Sequence, residues 1–417
     1  MRKYLYVTGF SFAIFCSLFL FETRGESIAG PANLGTEPGG DPASVHLAQS
    51  NPDEYAWQLF LFVNRQAKPG TAGEADPTKP IGSYDPDKDV VWETWALASG
   101  DGASQAGSEV YKPDGSDPGP WTKLVRTPGA LTAKLLSVDN TRGAVRDFLR
   151  TQPAAGRLIL IPPGDPTADN EVRMNEATYT FVRNNELYNV EGLQAMLGRA
   201  RSATPTNRDQ IQFPLAAKEI KADWIIEPNP TPQKLARYHW RKVGGKIYLL
   251  TGFHIITKDL KQWFWADFSH IDFETRTTSG GRVSEGFPSV DTTTRGATAP
   301  SRGTVDGERK ELTGTKWAYY RLRGTQIDFT DAQGKPVIVG NTRIEFGFAK
   351  QSSCMTCHFN ASIGDGSGGA HVPHLSGGRT VTGKPDATPF GAGNTITFLS
   401  SDFVWSAPFR AAHKAGP

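Results

Sequence analysis

Two cysteines and a histidine lie within five residues of one another, in the segment Ser353-Cys354-Met355-Thr356-Cys357-His358. The order C-x-x-C-H is the attachment signature of a c-type haem, in which each thiol bonds to one vinyl group of the porphyrin. Two intervening residues in a helical turn set the sulfurs at the spacing of the vinyls, and the histidine meets the iron. The pattern predicts one covalent haem c, with Cys354 and Cys357 as attachment sites and His358 as proximal ligand.

Three other interpretations of the same residues remain open at this point. A tetrahedral zinc site needs four ligands, which His371 and His374 could complete. A thioredoxin-like redox pair is the second alternative, although it normally follows a strand in a strand–helix alternation that this sequence lacks. A chance match is the third. The chain has three cysteines in all and Cys16 lies in the N-terminal apolar run, so the remaining two form no disulfide framework.

The sixth iron ligand is less well defined. Small helical cytochrome c domains carry their motif near the start and a methionine ligand downstream, but no methionine follows His358 here. The haem segment therefore belongs to a larger fold and is not a stand-alone small helical domain. Distal candidates are His371 and His374, in a Gly-rich stretch, and Met174; Met196 resembles core filler. An open sixth position would favour catalysis over simple electron transfer.

The N-terminus has the pattern of an export signal. Arg2 and Lys3 precede an apolar run over 7–21, which is shorter than a bilayer-spanning helix. Cleavage after Ala29 or after Gly25 fits the small-residue rule, so we predict a signal peptide over 1–29. An uncleaved anchor is the alternative. No later segment approaches the length of a membrane span, which predicts a periplasmic protein without a membrane span after cleavage.

Composition limits the partners. Lys and Arg number 45 against 43 Asp and Glu, a nearly neutral balance that gives no indication of binding to nucleic acid. Forty-four Gly and 29 Pro indicate many turns and long loops. We therefore expect a periplasmic redox protein as partner.

The pattern along the chain predicts an α+β fold, mainly antiparallel sheet with surrounding helices. A flexible leader over 30–50 precedes a single haem-binding unit over 51–417, with long loops at 277–315 and 364–394. A helix is expected from Pro52 to Asn64, because its apolar residues recur at helical spacing. Apolar runs predict strands over 217–226, 246–257, 262–273 and 317–330, the first three as an antiparallel meander.

Several segments together resemble a group of bacterial exported monohaem proteins of the cytochrome c family. These segments are 54–60, 91–95, 253–258, 263–270 and 353–358. The resemblance spans most of the chain after the signal, and it implies haem c and export. It implies roles for Cys354, Cys357 and His358 alone and leaves the substrate unassigned.

Two functions follow as hypotheses. The first is electron transfer to a partner protein through the haem iron. The alternative is a haem-dependent oxidoreductase, of peroxidase or oxidase type, acting on a small molecule at an open distal site. That alternative requires a positioned His or Arg, and His254 and His270 lie on neighbouring predicted strands. The sequence assigns a catalytic role to no residue.

Overall fold

The computed structural model describes residues 37–83, 85, 88–98, 107–124, 168–203, 210–273, 276–277, 283–284, 312–345, 349–364, 382–385, 387, 390, 396 and 398–416. These residues belong to one compact unit, Leu34–Pro417. The predicted signal peptide, both loop histidines (His371 and His374) and most of the two predicted loops lie outside the described residues. No helix within the described ranges is long and apolar enough to cross a membrane.

Two helices open the described part of the chain, α1 over Pro42–Ser50 and α2 over Pro52–Val63. Each has proline in its first turn, where the missing N–H costs no intrahelical hydrogen bond. The Asp41 side chain caps α1 by accepting hydrogen bonds from backbone N–H groups of that turn. The prediction of a flexible leader over 30–50 is therefore wrong for its last nine residues, which are helical. The helix predicted from Pro52 is confirmed as α2.

Five further helices and eleven strands complete the described elements. The helices are α3 Glu176–Asn184, α4 Val190–Ser202, α5 Pro232–Leu235, α6 Cys354–Phe359 and α7 Ser406–Arg410. Short 3-10 helices include Val91–Thr94, Trp121–Leu124, Ile271–Phe273, Lys316–Tyr319 and Ala349–Gln351. The strands are β1 Ala96–Leu97, β2 Ala168–Met174, β3 Lys218–Glu227, β4 Trp240–Val243, β5 Lys246–Thr257, β6 Phe264–His270, β7 Arg276–Thr277, β8 Val283–Ser284, β9 Tyr320–Gln326, β10 Ser362–Gly364 and β11 Phe398–Ser400.

Seven of the strands form one antiparallel sheet in the order β1-β2-β3-β5-β6-β9, with β4 paired to the first part of β5. The predicted α+β class with mainly antiparallel sheet is confirmed. The three predicted meander strands are β3, β5 and β6, and they are neighbours in the sheet. Strand β4 was not predicted, because four residues with two basic side chains give too short an apolar pattern.

One face of the sheet packs on α2. Phe253 of β5 and Phe268 of β6 point to this face, and their rings lie 5.5 and 4.6 Å from the Phe60 ring. Trp57 meets Phe268 edge to face at 5.2 Å. The apolar alternation of β6 predicted this aromatic face, and it packs against α2 within one hydrophobic core.

The opposite face of the sheet carries the C-terminal part of the chain. Here α4 and α6 pack in a second hydrophobic core that includes Met174, Trp265 and Met355. A two-stranded sheet of β10 and β11 lies in the same core. The C-x-x-C-H segment therefore packs against one face of the large sheet, while α2 covers the other.

Helix α4 gives a test of capping. Asn189 accepts a hydrogen bond from the Gly192 backbone N–H at 2.8 Å through its side-chain oxygen. Replacing Asn189 by alanine is expected to lower the free energy of unfolding by about 1 kcal/mol, the usual effect of losing a cap. Asn51 is the matched control, because it precedes α2 without a side-chain capping bond. Urea unfolding followed by circular dichroism should therefore show a loss for Asn189→Ala and little change for Asn51→Ala.

Candidate functional site

The C-x-x-C-H segment forms a short helix that is anchored to the sheet. Ser353 caps α6, and its side-chain oxygen accepts a hydrogen bond from the Thr356 N–H. Gln326, the last residue of β9, donates to the Ser353 oxygen at 2.8 Å and accepts from the Met355 N–H at 3.1 Å. These bonds fix the first turn of the helix, which places both cysteines and His358 relative to β9.

His358 is held by a backbone acceptor. Its Nδ1 atom lies 2.8 Å from the carbonyl oxygen of Phe403, and its ring lies 4.6 Å from the Trp265 ring of β6. Burial lowers the pKa of His358 to about 3, so the ring is neutral at ordinary pH. A neutral imidazole next to a carbonyl oxygen carries its proton on the nitrogen that donates, here Nδ1. The Nε2 atom is then an unprotonated donor for a metal.

Both cysteines are free thiols. Cys354 is buried, and burial raises its pKa well above the usual value. Cys357 is exposed at the surface, yet desolvation by the surrounding protein raises its pKa to about 11. Redox-active dithiols have a cysteine with a lowered pKa. The electrostatics here therefore argue against the thioredoxin-like interpretation.

A second group of polar side chains lies on the same sheet face. Lys221, His254 and Asp267 form a row across β3, β5 and β6, since His254 is the register partner of both others. Paired residues of neighbouring strands point to the same side of a sheet. Trp265, which contacts His358, lies two residues before Asp267 on β6 and therefore points to the same side of the sheet. Glu345 lies in the turn that begins at Asn341, and its side chain contacts His254 of this row.

The geometry of this group, which we call the His254 cluster (His254, Asp267 and Glu345), is tight. His254 Nε2 lies 3.4 Å from Asp267 Oδ1 and 3.6 Å from Glu345 Oε2. Asn341 supports it by donating from Nδ2 to Asp267 Oδ1 at 2.7 Å, while its backbone N–H donates to Glu345 Oε2 at 2.8 Å. Backbone N–H groups of the following turn donate to Asn341 Oδ1. This turn therefore fixes the Glu345 carboxylate toward the sheet.

Burial and mutual charge set the protonation of the cluster. Burial, with the negative charge of Glu345, raises the pKa of Asp267 to about 7. For His254, burial opposes the charged form, but both carboxylates outweigh it and the pKa is raised. For Glu345, burial favours the neutral form, but His254 and the Asn341 N–H hold the pKa below its usual value. Asp267 is therefore the easier of the two carboxyl groups to protonate, while Glu345 stays charged beside His254.

The charges of the His254 cluster act on the C-x-x-C-H segment. Besides burial, the carboxylates of Glu345 and Asp267 contribute to the raised pKa of Cys354. Besides burial, the charges of Lys221 and His254 contribute to the lowered pKa of His358. Such coupling acts between groups that are close in a poorly hydrated interior. Two thiols and a neutral imidazole on one short helix can hold a metal cofactor, and the His254 cluster is a separate group that can exchange protons.

The other predicted candidates lie elsewhere or outside the described residues. Met174 is fully buried at the end of β2. That strand lies three strands away from β6, whose Trp265 contacts His358. Met196 is buried in α4, as expected of a core residue. His270 stacks on the ring of Tyr238 at 3.7 Å and is remote in register from His254. Since His371 and His374 are not among the described residues, their prediction as distal ligands stays a prediction.

Asp267 and Glu345 are the residues that sequence reasoning missed. A signal was present for Asp267, because an aspartate within an aromatic strand such as 263–270 must be buried and paired. The signal for Glu345 was weaker: it lies four residues after Asn341, close enough in sequence for the two to hydrogen-bond within one turn. Neither signal identifies the partner.

Comparison with protein-family models, with curated proteins and with solved structures finds no match to this chain.

A further buried carboxyl on β3 provides a pH test. Burial raises the pKa of Glu219 to about 7, against 4.5 for the ordinary group. The stability that its protonation provides is therefore present below about pH 4.5 and lost as the pH rises through 7. We expect Glu219→Gln to be more stable than the parent at pH 8, by roughly 2–3 kcal/mol. The difference should shrink at pH 5.

Urea unfolding at the two pH values measures the Glu219 effect. Glu74→Gln is the control, since that carboxylate is 54% exposed and its loss should change the pH dependence little. A Glu219→Gln protein with the parent's pH dependence would contradict a buried, protonated Glu219.

Proposed function

We propose that this chain is an exported c-type monohaem protein that transfers electrons through a covalently bound haem. Cys354 and Cys357 would attach the porphyrin, and Nε2 of His358 would bind the iron. When bound, a haem supplies one-electron chemistry between ferrous and ferric iron. The export signal predicted over 1–29 supports a periplasmic location, where c-type haem proteins exchange electrons with partner proteins.

The observation that carries the proposal is the hydrogen bond between His358 Nδ1 and the Phe403 carbonyl oxygen, 2.8 Å long. Histidine ligands of metals commonly donate their second ring N–H to a backbone carbonyl or carboxylate, which fixes the tautomer and the ring orientation. His358, which the C-x-x-C-H spacing assigns to the iron, has this arrangement. A merely structural histidine needs neither the neighbouring thiols nor this tautomer.

The two thiols also fit the cofactor. They are reduced and unpaired, and Cys357 is exposed, so that it is accessible to a vinyl group during attachment. The neighbouring Met355 is fully buried and packs in the core, which holds the helix in place. An exposed attachment site supports electron exchange with a partner at the surface.

Catalysis is the second candidate function, and the His254 cluster favours it. An imidazole between two carboxylates can accept and return a proton, as a general acid–base group does. A simple electron carrier has no need of such a cluster beside its haem. Reaction of a small molecule at an open sixth position would make use of it.

Absorption spectra of the mature, haem-loaded protein test the two functions. We expect ferric and ferrous spectra of the low-spin type that carbon monoxide leaves unchanged if the protein is an electron carrier. High-spin spectra with ready binding of carbon monoxide would favour the catalytic function and direct a search toward peroxide and small phenols. A protein that is colourless after expression with the haem c maturation machinery would refute both.

A further inference from the structure

Three metal-ligating side chains converge from three separate elements of the fold. His254 comes from β5, Asp267 from β6 and Glu345 from the turn that begins at Asn341, and one ligand atom from each lies within 4.8 Å of the others. His254 Nε2 is 3.4 Å from the Asp267 oxygen and 3.6 Å from the Glu345 oxygen. Ligands about 2.1 Å from a common ion in tetrahedral geometry are about 3.4 Å apart. The observed spacings therefore match a shared ion.

The Asp267 carboxylate is buried and incompletely satisfied. The Asp267 side chain is fully buried, and within the described part of the chain its Oδ2 atom has no hydrogen-bond partner. A buried carboxylate oxygen without a partner costs roughly 1–3 kcal/mol or more. Its other oxygen, Oδ1, faces His254 and is oriented by Asn341 at 2.7 Å. A cation at the cluster would satisfy the carboxylate that the protein leaves open.

Hydrogen bonds from Asn341 orient two of the proposed ligands, as outer-shell groups do at metal sites. Asn341 holds Asp267 through its side chain and Glu345 through its backbone N–H. Its own side-chain oxygen accepts hydrogen bonds from the backbone N–H groups of Arg343 and Ile344, so that the amide orientation is fixed. Hydrogen-bonded neighbours of this type orient ligands toward an ion.

We propose that His254, Asp267 and Glu345 bind one divalent ion of the first transition series. One imidazole nitrogen with two carboxylate oxygens suits Mn²⁺, Fe²⁺ or Zn²⁺, whereas an all-oxygen set would suit Mg²⁺ or Ca²⁺. Two carboxylates also neutralise the double charge of the ion in the poorly hydrated interior. The site is separate from His358 and does not depend on attachment of a haem.

Titration of the untagged, chelator-treated protein with Mn²⁺ tests the proposal. Free Mn²⁺ is measured by electron paramagnetic resonance at room temperature, a readout that is independent of haem content and of activity. We expect one Mn²⁺ bound per chain, displaced by Zn²⁺. Glu345→Gln and Asp267→Asn should each lower the affinity by roughly 100-fold or more, since loss of an outer-shell partner alone costs about 10- to 100-fold. Lys221→Met, which removes a positive charge from the same row, should strengthen binding.

The chain provides a matched control. His413 and Glu191 form a histidine–glutamate pair 2.8 Å apart on the surface, with 54% and 41% of their side chains exposed. Glu191→Gln should therefore bind Mn²⁺ as the parent does. Circular dichroism confirms folding of each variant, and His254→Gln serves if either acidic variant unfolds.

Three results would overturn the proposal. The parent could bind neither Mn²⁺ nor Zn²⁺ in one-to-one ratio, or the Glu345→Gln and Asp267→Asn proteins could bind as tightly as the parent. The third is a His254→Gln protein whose haem changes from six-coordinate to five-coordinate in its absorption spectrum. That result would assign His254 to the haem iron instead.

Discussion

A chain in which Cys354 and Cys357 are both replaced by alanine is expected to carry no covalent haem. Thioether bonds to the porphyrin can form only at these thiols, because the one other cysteine, Cys16, lies in the predicted signal. Staining for haem after denaturing electrophoresis measures the effect, since only covalently bound haem migrates with the chain. The expected loss is complete.

Single variants separate the contributions of attachment and ligation. His358→Ala leaves both thiols in place, but it removes the imidazole whose Nδ1 lies 2.8 Å from the Phe403 carbonyl oxygen. Haem that remains attached in this variant should show an altered spectrum. Met355→Leu is the matched control, because it conserves the volume of a fully buried residue within the motif and keeps both attachment cysteines and the proposed iron ligand. A double alanine variant that still stains for haem would refute the proposed attachment.

Replacing Glu93 by glutamine is expected to lower the free energy of unfolding by about 3–5 kcal/mol. Glu93 lies in the buried 3-10 helix Val91–Thr94 and pairs with Arg241 of β4, and its other oxygen lies 2.9 Å from His239 Nε2. The side chains of all three are at most 1% exposed. Removing the carboxylate leaves the Arg241 charge in the core without its main counter-charge. An uncompensated buried charge destabilises the fold by more than the intact ion pair stabilises it.

The same group has a defined pH dependence. Burial alone would raise the pKa of Glu93, but Arg241 and His239 outweigh it and hold the pKa at about 2, against an ordinary 4.5. The stability from this carboxylate is therefore present above pH 4.5 and is lost as the pH falls through 2. Glu93→Gln should lack that component of acid unfolding.

Urea unfolding at pH 7 and acid titration followed by circular dichroism measure both effects. Glu74→Gln is the control, since its partner Lys68 is 49% exposed and such surface pairs contribute little. Equal stabilities of the Glu93→Gln and Glu74→Gln proteins would show that the Arg241 charge finds another counter-charge in the core.

Features that depend on neighbours along the chain could be predicted without a structure. Helix α2 follows from Pro52 and the apolar spacing after it, and the aromatic face of β6 follows from strict alternation. The C-x-x-C-H spacing is local in the same way, so the candidate residues Cys354, Cys357 and His358 could be chosen without a structure. The antiparallel pairing of β3, β5 and β6 was predictable because each strand has one apolar face that must be buried.

Tertiary structure alone decided which distant polar groups meet. Glu93 and Arg241 are 148 residues apart in sequence, and no pattern near either one identifies the other. The acceptor for His358 is a backbone carbonyl, which every residue has, so the sequence could not indicate Phe403. The His254 cluster depends on the register of β5 and β6 and on the turn at Asn341 that directs Glu345 toward them. Long-range contacts of this kind are set by the packing of whole elements, because the energy of one polar pair is small beside that of the buried apolar faces that align the strands.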